Sequence, residues 1–431
     1  MTARPRTPSD TTPRATVSLA RRGLFAAAGG LAAAVGTGLT ARAAMPDAAP
    51  KPEKKPTEDF WGPHQAGIVT PAQDHTYFAA FDLTTGKRED VTKLLQTWTA
   101  AAARMTTGAT AAPPITDQNA PGSDSDEALG LAPARLTLTF GFGAGLFEKE
   151  AKDRYGLASL RPAALVDLPR FNGDQLVQAR TGGDLSVQAC ADDPMVAFHA
   201  VRQLARLAYD IAEIRWTQSG FQSRPAKGGT PRNLMGFKDG THTPPSIDTV
   251  VWVAEEDPPW MRGGSYVVVR RIRMALEHWD RTNVGFQEQT MGRHKLSGAP
   301  LGLKDEFAPL GLDRTDKDEN PIIPENAHVR LANAASNDGA EILRRGYSYN
   351  DGVNLTAERW PPWRQGMEYD AGLLFVAYQR DPRTGFVRIF ENMAKFDMLN
   401  QFVTHTGGGL FACPGGMREG EFIGQRLFAS A

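Results

Sequence analysis

The sequence predicts an α+β chain of two ferredoxin-like (split βαβ) halves, antiparallel sheets with peripheral helices. Three observations carry this expectation. Strand-like and helical spacings follow one another in the order β-α-β-β-α-β between Thr76 and Phe221. A second succession of strand and helix patterns begins at Gly263. The composition, 41% hydrophobic and 23% charged over 431 residues, is that of a chain with a substantial core.

The first 43 residues stand apart from that fold. Arg21 and Arg22 precede a mildly apolar run, GLFAAAGGLAAAVGTGL, and Ala41-Arg42-Ala43 has the A-x-A form of a cleavage site. The run is too weakly apolar for a stable membrane span. Paired arginines before such a run fit the twin-arginine route, which carries folded proteins and so accommodates a cofactor inserted before export. The expected location is periplasmic, extracellular or at the cell envelope. Residues 44–62, AMPDAAPKPEKKPTEDFWG, have a linker composition. The N-terminal half is expected over residues 63–235 and the C-terminal half over 236–431.

In the first half, TYFAAFDL has strand composition. REDVTKLLQTWTAAAARM then places Val91, Leu94, Leu95 and Trp98 on one helical face. Small and polar residues from Thr110 to Gly130 predict a long loop. ARLTLTFGFG alternates Leu136 and Leu138 with threonines, and DLSVQACA is a further strand. DPMVAFHAVRQLARLAYDIA is an amphipathic helix capped near Asp192 or Asp193, and AEIRWTQSGF closes the unit. Phe140–Gly145, FGFGAG, lacks the spacing of a nucleotide-binding loop and is expected to be a close-packed strand end. In the second half, GGSYVVVRRIRM is a strand and ALEHWDRT begins a helix. GLLFVAYQRD is a strand, GFVRIFENMAKFDMLNQFV a helix and GGLFACPGG a last strand. Residues 297–327 have little periodicity, and so long a loop in a compact domain is more often functional than idle.

Charge and cysteine content narrow the function. The chain has 48 basic and 49 acidic residues. Without Arg4, Arg6, Arg14, Arg21, Arg22, Arg42 and Asp10 of the export segment, 42 basic and 48 acidic residues remain, a net charge of −6. No basic tract suits a phosphate backbone, so nucleic acid is not an expected partner. Two cysteines, Cys190 and Cys413, leave pairing open. The absence of C-x-x-C-H excludes a covalent c-type haem, and neither H-E-x-x-H nor a Cys/His cluster signals zinc.

Candidate chemistry gathers in two places. In NLMGFKDGTHTP, Asp239 sits on a turn bounded by Gly236 and Gly240, either bonding its own backbone or held at a pocket wall. His328 follows the long loop in HVRLAN, and Arg344 and Arg345 follow an apolar pair in EILRRGYSY. A lone histidine is more often structural than a ligand. Together, however, a histidine, an acid on a rigid turn and an arginine are the minimum set for peroxide chemistry on a haem.

The ordered segments NLMGFKDGT, GRHKLSGAPLG, HVRLAN, ILRRGYSY and GLLFVAYQRD resemble dye-decolorising (DyP-type) peroxidases, particularly their exported EfeB-like branch. The resemblance covers residues from about Gly67 to Phe428. It implies a non-covalent haem b between the two halves, held mainly by the second. It also implies reduction of hydrogen peroxide through an oxoferryl state and oxidation of dyes, phenols or other one-electron donors, small molecules or proteins. By position, Asp239 resembles the distal acid–base residue, Arg344 the distal arginine, His328 the proximal iron ligand and Asp397 the acid bonded to its imidazole. Arg293 of GRHK resembles a contact to a haem propionate. The family's usual asparagine after Asp-Gly-Thr is replaced here by Thr243, and His242 brings a second titrating group into the turn. Tyr347, Tyr349, Trp360 and Trp363 lie near Arg344 in sequence and offer either core packing or electron relay. Two other readings stay open: an exported, deferrochelatase-like haem-handling protein that releases iron, and a cofactor-free exported binding protein. The export machinery is an implied partner, and a homo-oligomer is compatible with the sequence.

Overall fold

Alternating residues of the first strand already require two apolar environments, one on each face. The computed structural model describes residues 57–226, 228–357 and 365–430 and supplies both. Residues 1–43, expected to be an export segment, residues 44–56 of the expected linker, Trp360 and Trp363 lie outside the described residues. The strands are β1 (His75–Leu83), β2 (Thr137–Phe142), β3 (Leu185–Ala191), β4 (Ala212–Phe221), β5 (Ser265–Met274), β6 (Leu343–Arg344), β7 (Tyr347–Ala357), β8 (Gln365–Gln379) and β9 (Val403–Cys413). The principal helices are α1 (Arg88–Met105), α2 (Pro194–Leu207), α3 (Val284–Met291), α4 (His328–Leu331) and α5 (Arg388–Phe396).

All strand pairings are antiparallel. The first four strands order as β4-β1-β3-β2, and the later ones as β9-β5-β8-β7, with β6 added beside β8. Each set meets the other at both edges, through Phe142 opposite Ala412 and Phe221 opposite Ser348. Eight strands therefore form a closed, barrel-like ring with helices outside it, which protects the main sheet edges. Phe78, Trp216, Val269, Leu374 and Phe411, from five strands around the ring, pack as one cluster inside it. Their neighbours Ala79 and Phe81 face outward and join Val91, Leu95 and Trp98 of α1.

The first half follows its pattern closely. Val91, Leu94, Leu95 and Trp98 are buried, and Trp98 Nε1 donates to Leu204 O of α2 at 2.8 Å. Asp193 is the cap of α2: its Oδ1 accepts from Met195 N at 2.8 Å and Val196 N at 3.3 Å, with Pro194 in the first turn. The FGFGAG run is indeed close-packed. A Cβ on Gly143 would lie 2.0 Å from Gly183 O, and one on Gly145 2.0 Å from Asp184 Oδ1. One expectation from alternation does not hold. Thr137 and Thr139 are as buried as Leu136 and Leu138, because ring closure covers the face that an open sheet would leave to solvent.

The second half departs further from its sequence pattern. β7 carries Asn350-Asp351-Gly352, which has the composition of a turn; a register shift between Asn350 and Val353 absorbs these residues as a bulge. The helix expected over residues 385–403 is shorter. It ends at Phe396, a short turn spans Met398–Gln401, and β9 begins at Val403. The ALEHWDRT segment supplies only one turn, Leu276–Trp279, before α3. Cys190 and Cys413 are both buried and unpaired.

Candidate active site

Two acid-containing pairs, each joining distant segments, define the site. On one side, His328 is the first residue of α4, and Asp397 lies between α5 and the Met398–Gln401 turn. Met398 N donates to Asn326 O at 3.1 Å and draws the two segments together. His328 Nδ1 donates to Asp397 Oδ2 at 2.7 Å, and Asp397 Oδ1 accepts from Leu399 N at 2.8 Å. Asp397's side chain is 1% exposed and His328's 25%, so the ring alone of the pair reaches open space. Donation from Nδ1 leaves the lone pair on Nε2. Burial disfavours the imidazolium, but the charge and hydrogen bond of Asp397 outweigh it and raise the pKa of His328.

On the other side, Asp239 sits at the end of a tight hairpin-like turn. Asn233 Oδ1 accepts from Met235 N at 3.1 Å and Phe237 N at 3.2 Å, and Arg232 pairs with Lys238 across the turn. Gly236 at φ +84° and Gly240 at φ +114° take conformations that disfavour other residues. Asp239 N donates to Pro231 O at 2.9 Å, fixing the backbone. Its side chain turns outward from this frame: Arg344 Nη1 donates to Asp239 Oδ1 at 2.9 Å. Arg344 itself is held by β6, opposite Ala377 of β8. Both Arg344 and Asp239 act electrostatically on His328, opposing and favouring its protonation respectively. The Asp239–Arg344 pair therefore lies within electrostatic range of the His328 ring.

The loop 297–327 braces the Asp239 turn. Glu306 accepts from Lys238 Nζ and, at 3.1 Å, from Thr241 Oγ1. Burial works against ionisation of Glu306, but its bonds to Lys238, Thr230 and Thr241 keep its pKa below the usual carboxylate value. Glu306, Asn233 and Lys238 escape sequence reasoning. The only signal for Glu306 was the length of its unpatterned loop. Arg232 adds to the frame by donating to the carbonyls of Gly236, Lys295 and Leu296.

The remaining candidates separate clearly. Arg293 Nη1 donates to Gly298 O at 2.7 Å and Glu306 O at 3.0 Å, inside the same loop. Burial lowers its pKa, partly offset by Glu306. His242 contacts Glu341 Oε1 at 3.4 Å, and its side chain is 64% exposed, so its partner is not Asp239. Arg345 points the opposite way from Arg344, as successive strand residues do, and donates to Thr70 O and Gln73 Oε1 in the interior. Tyr347 and Tyr349 are fully buried; Tyr347 contacts Cys190 Sγ at 3.5 Å, and Arg271 stacks 4.2 Å from the Tyr349 ring.

Known proteins resemble this chain along both halves. The family model "Dyp-type peroxidase, N-terminal" matches residues 65–222, and "Dyp-type peroxidase, C-terminal" matches residues 230–418. The dye-decolorizing peroxidase of Thermobifida fusca (strain YX) is 38% identical over 94% of this chain and 96% of that protein. A deferrochelatase of Escherichia coli (strain K12) is 37% identical over 89% of this chain and 88% of its own length. The structure of ferric DtpA from Streptomyces lividans superposes with a TM-score of 0.78 and 41% identity, covering 87% of this chain and 98% of that one. With both halves matched in order and relatives aligned along nearly their full length, the chain belongs to the Dyp-type peroxidase family.

Proposed function

We propose that this protein is a haem b peroxidase that reduces hydrogen peroxide and oxidises dyes, phenols or other one-electron donors. The observation that carries the reading is the Asp239–Arg344 ion pair together with the His328–Asp397 pair, whose imidazole lies within electrostatic range of both Asp239 and Arg344. The donor set fits the cofactor. His328 offers Nε2 as an iron ligand because Asp397 occupies Nδ1. Arg293, with Nη1 committed to two carbonyls, offers its other nitrogens to a propionate. Haem b supplies the redox-active iron at which the peroxide O–O bond is cleaved.

The side chains divide the remaining work. Asp397 fixes the imidazole ring and makes it a more basic ligand, favouring the oxidised metal. Asp239, ionised beside Arg344, accepts a proton from one peroxide oxygen and returns it to the other, which leaves as water. Arg344 favours the anionic form of peroxide and stabilises charge on the departing oxygen. The Glu306–Lys238 brace and the two glycines keep Asp239 in place during both transfers.

Each four-stranded set has its first and third strands at the centre and helices on the outer face, which supports reading both as ferredoxin-like halves, 63–235 and 236–431. Export by the twin-arginine route to the periplasm, cell envelope or exterior is supported by Arg21-Arg22 and the Ala41–Ala43 site. Among the described residues no helix is long and apolar enough to cross a membrane. Replacing Arg21 and Arg22 with lysine should block export in cell fractionation.

The relatives named deferrochelatase favour a second reading, haem handling with release of iron. It requires His328 but neither Asp239 nor Arg344. Stopped-flow visible spectroscopy of the purified haem protein with one equivalent of hydrogen peroxide separates the two. A Soret band that shifts rapidly and recovers with an electron donor supports the peroxidase. A Soret band that barely responds or only bleaches slowly transfers the weight to haem handling. No Soret band after haem reconstitution would sink both.

A further inference from the structure

A second cluster of ligand-type side chains lies on the outer face of the first half. Asp124 and Glu127 come from the long loop between α1 and β2, and His199 comes from the middle of α2. His199 Nε2 lies 3.4 Å from Asp124 Oδ1, and His199 Nδ1 lies 3.3 Å from Glu127 Oε1. One ligand atom from each residue falls within 4.8 Å of the others. Asp124 and His199 are buried, and Glu127's side chain is 16% exposed.

One further observation points to a cation. Glu127 Oε1 is buried yet accepts no hydrogen bond. Arg202 Nη1 stands 3.3 Å from it, but that guanidinium is half-exposed. A cavity of about 30 Å³ beside the cluster is lined by Asp124 and His199 among mostly apolar side chains and gives access to these two ligands but not to Glu127. The other polar groups serve as supports. Asp124 accepts from Ala111 N at 2.7 Å and Asp126 N at 2.9 Å, and Glu127 Oε2 accepts from Ser125 Oγ. Gln203 Nε2 donates to Ser125 Oγ and approaches His199 Nδ1 at 3.5 Å. With His199 neutral, the two carboxylates face only the half-exposed Arg202, and a bound cation supplies the missing positive charge.

We propose that Asp124, Glu127 and His199 form a binding site for a divalent first-row transition metal, distinct from the haem, that clamps the 106–136 loop to α2. One imidazole nitrogen with two carboxylate oxygens suits zinc or its neighbours and is too poor in oxygen for calcium. In a tetrahedral shell with metal–ligand bonds of about 2.0–2.1 Å, adjacent ligand atoms stand about 3.3 Å apart. The His199 Nε2–Asp124 Oδ1 separation of 3.4 Å and the His199 Nδ1–Glu127 Oε1 separation of 3.3 Å are each close to that value, and only one of them can belong to the shell. The carboxylates meet opposite nitrogens, so one nitrogen takes the ion and the farther carboxylate rotates to complete the shell.

The test uses the haem-loaded protein, stripped with a chelator, dialysed and titrated with zinc chloride. Calorimetry and elemental analysis should find one zinc per chain beyond the haem iron, with micromolar or tighter affinity. Zinc should also raise the melting temperature by a few degrees. His199→Ala and Asp124→Asn should abolish this uptake with the Soret band unchanged. Glu127→Gln, at a partly exposed position, should weaken it at least tenfold and decides the matter if the other variants fold poorly. Unchanged zinc affinity in Glu127→Gln, or stabilisation of the parent that is blind to both zinc and chelator, would overturn the site and leave His199 as a bridge between two acids.

Discussion

Asp397→Asn isolates the charge of the proximal pair. Asp397 uses both oxygens, one for His328 Nδ1–H and the other for Leu399 N. Asparagine has one oxygen, and its amide nitrogen cannot accept. The variant must therefore drop either the imidazole bond or the turn cap. Each is worth about 1–3 kcal/mol when a buried donor is left unpaired, and the charge-assisted bond to the ring is the stronger. Loss of the negative charge also removes the factor that keeps the His328 pKa raised. Together these predict haem dissociation about 10- to 100-fold faster, in the range found for other partners of metal ligands. The assay is transfer of haem to excess apomyoglobin, followed at the Soret band, with the haem midpoint potential measured in parallel. The potential should rise, because a less basic imidazole favours the oxidised metal less. Parental dissociation rate and parental potential together would refute the claim that Asp397 tunes the ligand.

Four other substitutions test the remaining links. Asp239→Ala and Arg344→Leu should keep haem and slow its reaction with peroxide by about 100- to 10,000-fold, as removal of an acid–base group or charge stabiliser does. Parental rates in both would make the distal assignment wrong. Gly372→Ala places a Cβ 1.9 Å from Ile272 O in the β5–β8 ladder; urea unfolding should register a loss of about 1–3 kcal/mol, and an unchanged midpoint would contradict the close packing. Glu306 has a folded-state pKa below its ordinary 4.5, so its brace stabilises fully above that pH and is lost as pH falls through the depressed value. Glu306→Gln should accordingly melt earlier than the parent at neutral pH and converge with it in acid. A gap independent of pH would reject this coupling.

The sequence by itself determined the local elements and the identities of the reactive groups. Apolar spacing specified α1 and β1–β5, Asp192-Asp193-Pro194 placed the start of α2 to within one residue, and the glycines around Asp239 marked a constrained turn. These are short-range properties, decided by backbone sterics and by which face a side chain takes. Only the tertiary structure decided partnership. His328 and Asp397 are 69 positions apart and Arg344 and Asp239 are 105 apart, so no local pattern encodes their hydrogen bonds. Ring closure likewise buried Thr137 and Thr139 against the alternation, and it absorbed Asn350-Asp351-Gly352 into a strand through a bulge. His242 illustrates the converse, since a position three residues from Asp239 did not prevent the fold from turning it toward Glu341. Asp124, Glu127 and His199 carry no spacing signal at all. Their meeting depends on a long loop packing against α2, a non-local contact that no periodicity in either segment specifies.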